Sequence, residues 1–220
     1  MIKLALFGAG RIGKIHGHNV ALNPQAELVA LHDPYQVNAD HLSAALGCKQ
    51  MTPEQIFSDP SITGILVCSA TDTHADLIEQ AVLAGKHVFC EKPIDLSLAR
   101  VQQVVDKVNA SPITTMLAFN RRFDSNFALL QQRIASGEIG DVELVSIISK
   151  DPSPPPVDYI KVSGGLFRDM TIHDFDMARF LLAEEVVQVT AQASCLVDPA
   201  IGLAGDVDTA LVTLRTASGK

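Results

Sequence analysis

The hexapeptide Gly8-Ala9-Gly10-Arg11-Ile12-Gly13 restricts what this chain can become more than any other stretch. It follows an apolar run, Ile2 to Phe7, that reads as a buried strand, and it opens a helical pattern over Arg11–Leu22. Glycines at this spacing, between a strand and a helix, form the turn of a dinucleotide-binding βαβ unit. Gly8 permits the tight turn, Gly10 lets the backbone approach a pyrophosphate, and Gly13 allows close packing of helix on strand. The helix start, with Arg11 and Ile12, offers N–H groups to phosphate oxygens. Such a motif alone is weak. Its weight here comes from Asp33, twenty positions after Gly13 at the end of the second strand, where a carboxylate would hold the adenosine ribose hydroxyls. A carboxylate there repels a 2′-phosphate, and residues 34–40 contain no Lys or Arg to bind one. The expected cofactor is therefore NAD rather than NADP.

Strand and helix patterns alternate after that motif. Strands are expected at Glu27–His32, Ile65–Ser69, His87–Cys90 and Thr114–Phe119, and helices at Ala39–Leu46, Thr73–Ala84 and Leu96–Val108. Apolar, β-branched strands between helices predict a parallel sheet covered on both faces. Open sheets of this kind bind ligands at the carboxyl ends of their strands. Ser69 ends the third strand, Ala70, Thr71 and His74 follow it, and Glu91 and Lys92 follow the fourth, so all six are candidate site residues. A helix start explains His74, and surface exposure explains Lys92, without any chemistry.

The pattern changes after Asn120. A helix over Ser125–Ser136, a long strand over Val142–Ser149 and a proline-rich loop around 151–159 precede a helix from about Gly165. Strands at Val186–Leu196 and Val207–Thr216 follow. The fold class is α/β: a Rossmann domain over 1–121, then an α+β domain over 122–220 with a mostly antiparallel or mixed sheet. The chain closes on Thr-Ala-Ser-Gly-Lys, in what reads as a turn toward a further strand, so the second domain is expected to be truncated.

With 47% hydrophobic and 19% charged residues the composition is that of a soluble globular protein. A net charge of −8 argues against nucleic acid or an anionic membrane as partner. The four cysteines, at 48, 68, 90 and 195, have no metal-site spacing, so no metal is expected, and buried thiols of a cytoplasmic protein are the default.

One apolar helix carries an unexplained polar stripe. Over Arg168–Leu181, at about 100° per residue, Asp169, His173 and Asp176 share one narrow face. An ordinary hydrated face with a stray histidine accounts for this as well as a site does.

Glu91-Lys92-Pro93 resembles the signature of the Gfo/Idh/MocA oxidoreductases, NAD(P)-dependent sugar and polyol dehydrogenases. The stretches GRIGKIHGHN, TDTHADLIEQA, GKHVFCEKPIDLSLARV, FNRRFDSNF, DPSPPPVDYIKVSGG and SGGLFRDMTIHDFDMARFLL are similar to the inositol-oxidising branch of that family. The resemblance covers essentially the whole chain. It implies that the polar stripe faces a cleft between the two domains and that Lys92, Asp169 and His173 are catalytic. It implies hydride transfer from a cyclic polyol, myo-inositol foremost, to NAD, giving the 2-keto product scyllo-inosose. Asp151 and Asp176 are the further substrate contacts expected, and Lys92 is expected to touch cofactor as well as substrate. Asn120 and Arg122 could serve cofactor or structure, and the bond between Lys92 and Pro93 is a candidate cis peptide. Tyr159 and Lys161 could shape the mouth of the cleft. Family members commonly run half as long again and assemble as tetramers, so a homotetramer is the expected assembly. A related sugar dehydrogenase, or a non-catalytic NAD-binding sensor or scaffold, is the rival reading.

Overall fold

The computed structural model describes residues 1–220. The chain divides into two compact units, Met1–Ala118 and Phe119–Lys220, so the division falls slightly ahead of position 121.

In the first unit, β1 (Ile2–Phe7), β2 (Ala26–His32), β3 (Lys49–Gln50), β4 (Gly64–Val67), β5 (His87–Cys90) and β6 (Thr115–Leu117) form one sheet. Its order is β3-β2-β1-β4-β5-β6, and every pairing is parallel. The crossovers are α1 (Arg11–Leu22), α2 (Gln36–Leu46), α3 (Pro53–Ser58), α4 (His74–Ala84) and α5 (Leu98–Asn109). Alternate strand residues point to opposite faces. Ala5, Phe7, Ile65, Val67 and Val88 therefore pack with Ile56, Ile78 and Val104, while Leu6, Leu28, Leu31 and Leu66 pack with Val20 and Leu42, an irregularity in the β1–β2 register at Val29 bringing both Leu28 and Leu31 to that side. The strand order reverses direction beside β1, which brings the carboxyl ends of β1 and β4 together at a ligand-binding switch point.

Two short elements of this unit were not expected. β3 has two residues, too few for a periodic signal. Six-residue α3 carries a capping box: Thr52 Oγ1 accepts from Gln55 N–H at 3.3 Å and Gln55 Oε1 accepts from Thr52 N–H at 2.8 Å.

The second unit contains α6 (Ser125–Ala135), α7 (Val157–Ser163), α8 (Ile172–Leu182), β7 (Val186–Ser194), α9 (Pro199–Leu203) and β8 (Thr209–Thr216). β7 and β8 pair antiparallel, with Val189 opposite Leu214 and Ala191 opposite Val212. Three expectations are corrected. Residues 142–149 form no strand; a run rich in Val, Ile and Leu favours extended backbone, but a strand also needs a hydrogen-bonding neighbour, and none pairs with it. Leu144 and Ile148 of that stretch are exposed. The proline segment gives way at Pro156 to a helix that carries Tyr159 and Lys161, since proline suits a helix start. The expected helix from Gly165 begins as a π-turn, Leu166–Thr171, before α8.

Candidate functional site

The glycine loop of the first unit is built by contact. Gly8 has φ +94°, and a Cβ there would lie 2.5 Å from the Cys68 carbonyl oxygen at the end of β4. A Cβ on Gly13 would collide with the Gly8 carbonyl. Both glycines are thus demanded by the protein itself. Gly10 is different. Its φ of −71° suits any residue, and a Cβ would meet nothing within 4 Å. Nothing in the fold requires glycine at this position, whereas a diphosphate laid against the N-terminus of α1 does. The loop therefore fits a dinucleotide. Asp33 stands at the end of β2 beside it. Its Oδ2 accepts from Ala9 N–H at 2.6 Å and its Oδ1 from Tyr35 N–H at 2.7 Å, so the carboxylate also fixes the loop. Each oxygen keeps further acceptor capacity for a ribose hydroxyl. Arg11 is exposed and Ile12 is half-buried.

At the end of β4, Ser69 Oγ lies 2.6 Å from Thr73 Oγ1, which donates to the Ala70 carbonyl at 2.7 Å. These bonds close the 3₁₀ turn Thr71–Thr73, leaving Ala70 exposed and Thr71 half-buried at the sheet's carboxyl edge. His74, expected among the cofactor contacts, is only 2% exposed. Its Nδ1 lies 2.8 Å from the Pro93 carbonyl and its Nε2 3.1 Å from the Ser69 carbonyl, so the ring joins two loops and presents no nitrogen to a ligand. Glu91 follows β5 and is paired with His16 Nε2 at 2.7 Å. The Lys92–Pro93 bond is cis. Lys92 is half-buried. Burial, aided by the charge of Glu91, pushes the nearby Cys68 thiol up to about 12, which keeps it protonated and unreactive.

The second unit presents its polar residues on the π-turn and α8. Asp206 accepts from Leu166 N–H through both carboxylate oxygens, at 3.0 and 3.2 Å, and so caps the turn. Thr171 Oγ1 donates to the Leu166 carbonyl at 3.0 Å across the widened ladder. The extra residue of a π-turn changes the angular relation of Asp169 to α8, so the narrow stripe derived at a uniform helical angle does not hold across it. Asp169 and His173 are both half-buried. His173 sits edge-on to Phe119, ring centroids 6.3 Å apart. Asp174 pairs with Arg121 and accepts from Ser149 Oγ at 2.6 Å.

Asp176 is 6% exposed, and its two oxygens accept from Arg122 Nε at 2.8 Å and Nη2 at 2.7 Å. Arg122 also lies 5.0 Å from the Phe180 ring centroid. Asp176 thus has a bidentate partner that sequence reasoning did not foresee. The signal was there: Arg121 and Arg122 lie side by side, and Asp174 and Asp176 recur on one helix. Asp151 lies in an exposed loop, with no strand before it. Among the described residues no group of His, Cys, Asp and Glu could hold a metal ion.

Family comparison agrees with this geometry. Residues 2–119 match the model of the Gfo/Idh/MocA oxidoreductases, NAD-binding Rossmann fold, and residues 127–220 match the C-terminal domain model of the same family. The chain belongs to the Gfo/Idh/MocA oxidoreductase family. Inositol 2-dehydrogenase of Rhizobium meliloti is 53% identical over 219 residues, which is 100% of this chain and 66% of that protein. A myo-inositol dehydrogenase structure from Corynebacterium glutamicum has a TM-score of 0.95 at 46% identity, covering 100% of this chain and 66% of that one. A scyllo-inositol dehydrogenase structure from Lactobacillus casei, with bound NAD(H) and scyllo-inositol, has a TM-score of 0.88 at 30% identity, covering 100% and 67%. This Gfo/Idh/MocA chain thus spans about 66% of the length of curated inositol dehydrogenases that it matches.

Proposed function

We propose that the chain is the larger part of an NAD-dependent dehydrogenase that oxidises a cyclic polyol, myo-inositol foremost, to its 2-keto product. The observation that carries the reading is Gly10, a glycine that neither its backbone angles nor its neighbours require, at the N-terminus of α1 and beside the Asp33 carboxylate. Likeness to inositol dehydrogenases supports the polyol. NAD, when bound, supplies the hydride acceptor. Gly8, Gly10 and Gly13 shape its diphosphate seat, and Asp33 selects a ribose without a 2′-phosphate.

In this reading His173 accepts the hydroxyl proton, as an imidazole that changes charge near neutrality can. Asp169 orients the ring. Lys92 positions the hydroxyl and stabilises negative charge developing on its oxygen. Asp151 serves a further substrate hydroxyl, because a buried hydroxyl left unpaired is costly. Asp176 contributes by holding Arg122 as well as by any bond to substrate. We place the protein in the cytoplasm on the strength of its four free cysteines. We read it as a homotetramer, since Val187, Val189 and Leu211 leave apolar surface exposed on the β7–β8 ribbon; analytical ultracentrifugation checks this.

The test is NADH formation from NAD with myo-inositol, scyllo-inositol, D-chiro-inositol and glucose on the longest natural form of the chain. Reduction with myo-inositol, lost in Lys92→Ala and His173→Ala, is the expected result. Turnover of glucose alone would favour a sugar dehydrogenase. Saturable NAD binding without turnover of any polyol would leave a sensor or scaffold.

A further inference from the structure

Lys92 is a flexible side chain at the open end of a strand, yet the backbone on either side of it is tied down. Glu91 N–H donates to the Val67 carbonyl at 2.9 Å, continuing the β4–β5 ladder one residue past β5. The Glu91 carboxylate meets His16 Nε2 at 2.7 Å, and the His16 ring packs edge-on against Phe89 with centroids 4.8 Å apart. Both partners are largely buried, at 21% and 16% side-chain exposure, so solvent weakens this contact less than it would a surface pair. On the other side, the Pro93 carbonyl faces His74 Nδ1 at 2.8 Å, and the second nitrogen of that ring faces the Ser69 carbonyl at 3.1 Å. Whichever nitrogen carries the proton, this buried ring has a carbonyl to donate to.

The two histidines come from different places. His16 lies on α1, the helix that opens at the glycine loop, and His74 begins α4 after the turn that ends β4. Neither is needed to build the sheet, whose strands pair through their own backbone. Both reach the same three-residue segment, one residue before the lysine and one after it.

We propose that His16 and His74 are positioning residues that bracket Lys92, and that His16 links the lysine to the helix that seats the cofactor diphosphate. The catalytic side of this inference rests on the proposed role of Lys92; the bracket itself rests only on the contacts above. Misplacing a reacting group by about 1 Å can cost roughly 100-fold in rate. Loss of either histidine should therefore lower kcat per NAD-binding site while leaving NAD affinity nearly unchanged; counting the sites by NAD titration removes any loss of folded protein from kcat.

The experiment uses the full natural chain with His16→Ala, His74→Ala and the conservative His16→Gln, whose amide can still donate to Glu91. Three quantities are read: NAD affinity, kcat and KM for the polyol, and the NMR resonance of 13C-dimethylated Lys92, assigned with Lys92→Arg. The expected result is a fall in kcat of about 10- to 100-fold for each alanine variant, with NAD affinity within about threefold of wild type and most activity restored in His16→Gln. The Lys92 resonance should move in both alanine variants, and its response to added NAD should be altered most in His16→Ala. If His74→Ala does not fold, His74→Asn, which keeps one amide donor, is read in the same way. A Lys92 resonance unmoved in both variants overturns the bracket, whatever the turnover. A resonance that moves, in a protein whose wild type oxidises no polyol, upholds the bracket and removes the dehydrogenase reading instead.

Discussion

Single glycines in this chain have separable jobs. Gly8 and Gly13 are held by backbone neighbours that leave no room for a methyl group, while Gly10 faces open space at an ordinary φ. Gly10→Ala should therefore fold with a stability within about 1 kcal/mol of wild type, because a residue compatible with its backbone angles costs little. Its NAD affinity should fall by at least about tenfold, since a Cβ would push the diphosphate away from the helix N-terminus. Gly8→Ala should show the opposite order, losing more than about 2 kcal/mol because strain at positive φ adds to a backbone clash. Denaturant unfolding and NAD titration of the two variants, side by side, check both halves. Equal loss of stability in the two would remove the argument that Gly10 is kept for a ligand.

At the level of elements, α8 is fastened at two places to residues just after the start of the second unit: Asp174 to Arg121, and Asp176 to Arg122. Removing one member of a buried ion pair strands the other. Asp176 is 6% exposed and Arg122 36%, so Arg122→Ala should cost about 2–3 kcal/mol, below the ~3–5 kcal/mol of a fully buried pair. Arg122→Lys should recover only part, because an ammonium cannot reproduce the two-pronged bond. Urea unfolding of Arg122→Ala, Asp176→Asn and the double variant gives the coupling; additive losses would mean the pair is not acting as a unit. This pairing also shows where sequence reading stops. The alternating strands and helices of the first unit, the glycine loop and Asp33 are legible because each depends on local period or fixed spacing. The Arg122–Asp176 bond joins residues 54 apart, and His74 bonds two backbone carbonyls that no side-chain pattern advertises. The π-turn at Leu166–Thr171 depends on a local shift of the ladder to wider i→i+5 bonds, and the uniform helical angle hid it. The stretch 142–149 has the β-branched, apolar composition of a strand, but strand formation is decided by a neighbour, which its own sequence does not contain.

Across the whole molecule, burial is uneven, and that sets where opening should begin. Ala5, Leu6, Phe7, Ile65 and Val67 in β1 and β4 are at most 2% exposed, and each strand lies between two paired neighbours. β7 has no buried residue, and each strand of the β7–β8 ribbon has one unpaired edge. Local opening follows low contact density and solvent-exposed hydrogen bonds. Amide exchange in the 220-residue chain should therefore be fastest in β7 and β8 and slowest in β1 and β4, with NAD slowing exchange most in the glycine loop and at the N-terminus of α1. The same measurement on a form as long as the curated relatives separates two explanations of the exposed ribbon. Protection of β7 and β8 in the longer form alone would assign their apolar residues to packing with further chain. Protection that instead rises with protein concentration in either form would assign them to contact between subunits, as the tetramer reading requires. If β7 and β8 exchanged as slowly as β1 in the 220-residue chain at high dilution, burial would not be what orders stability in this fold, and the ranking drawn from it would fail.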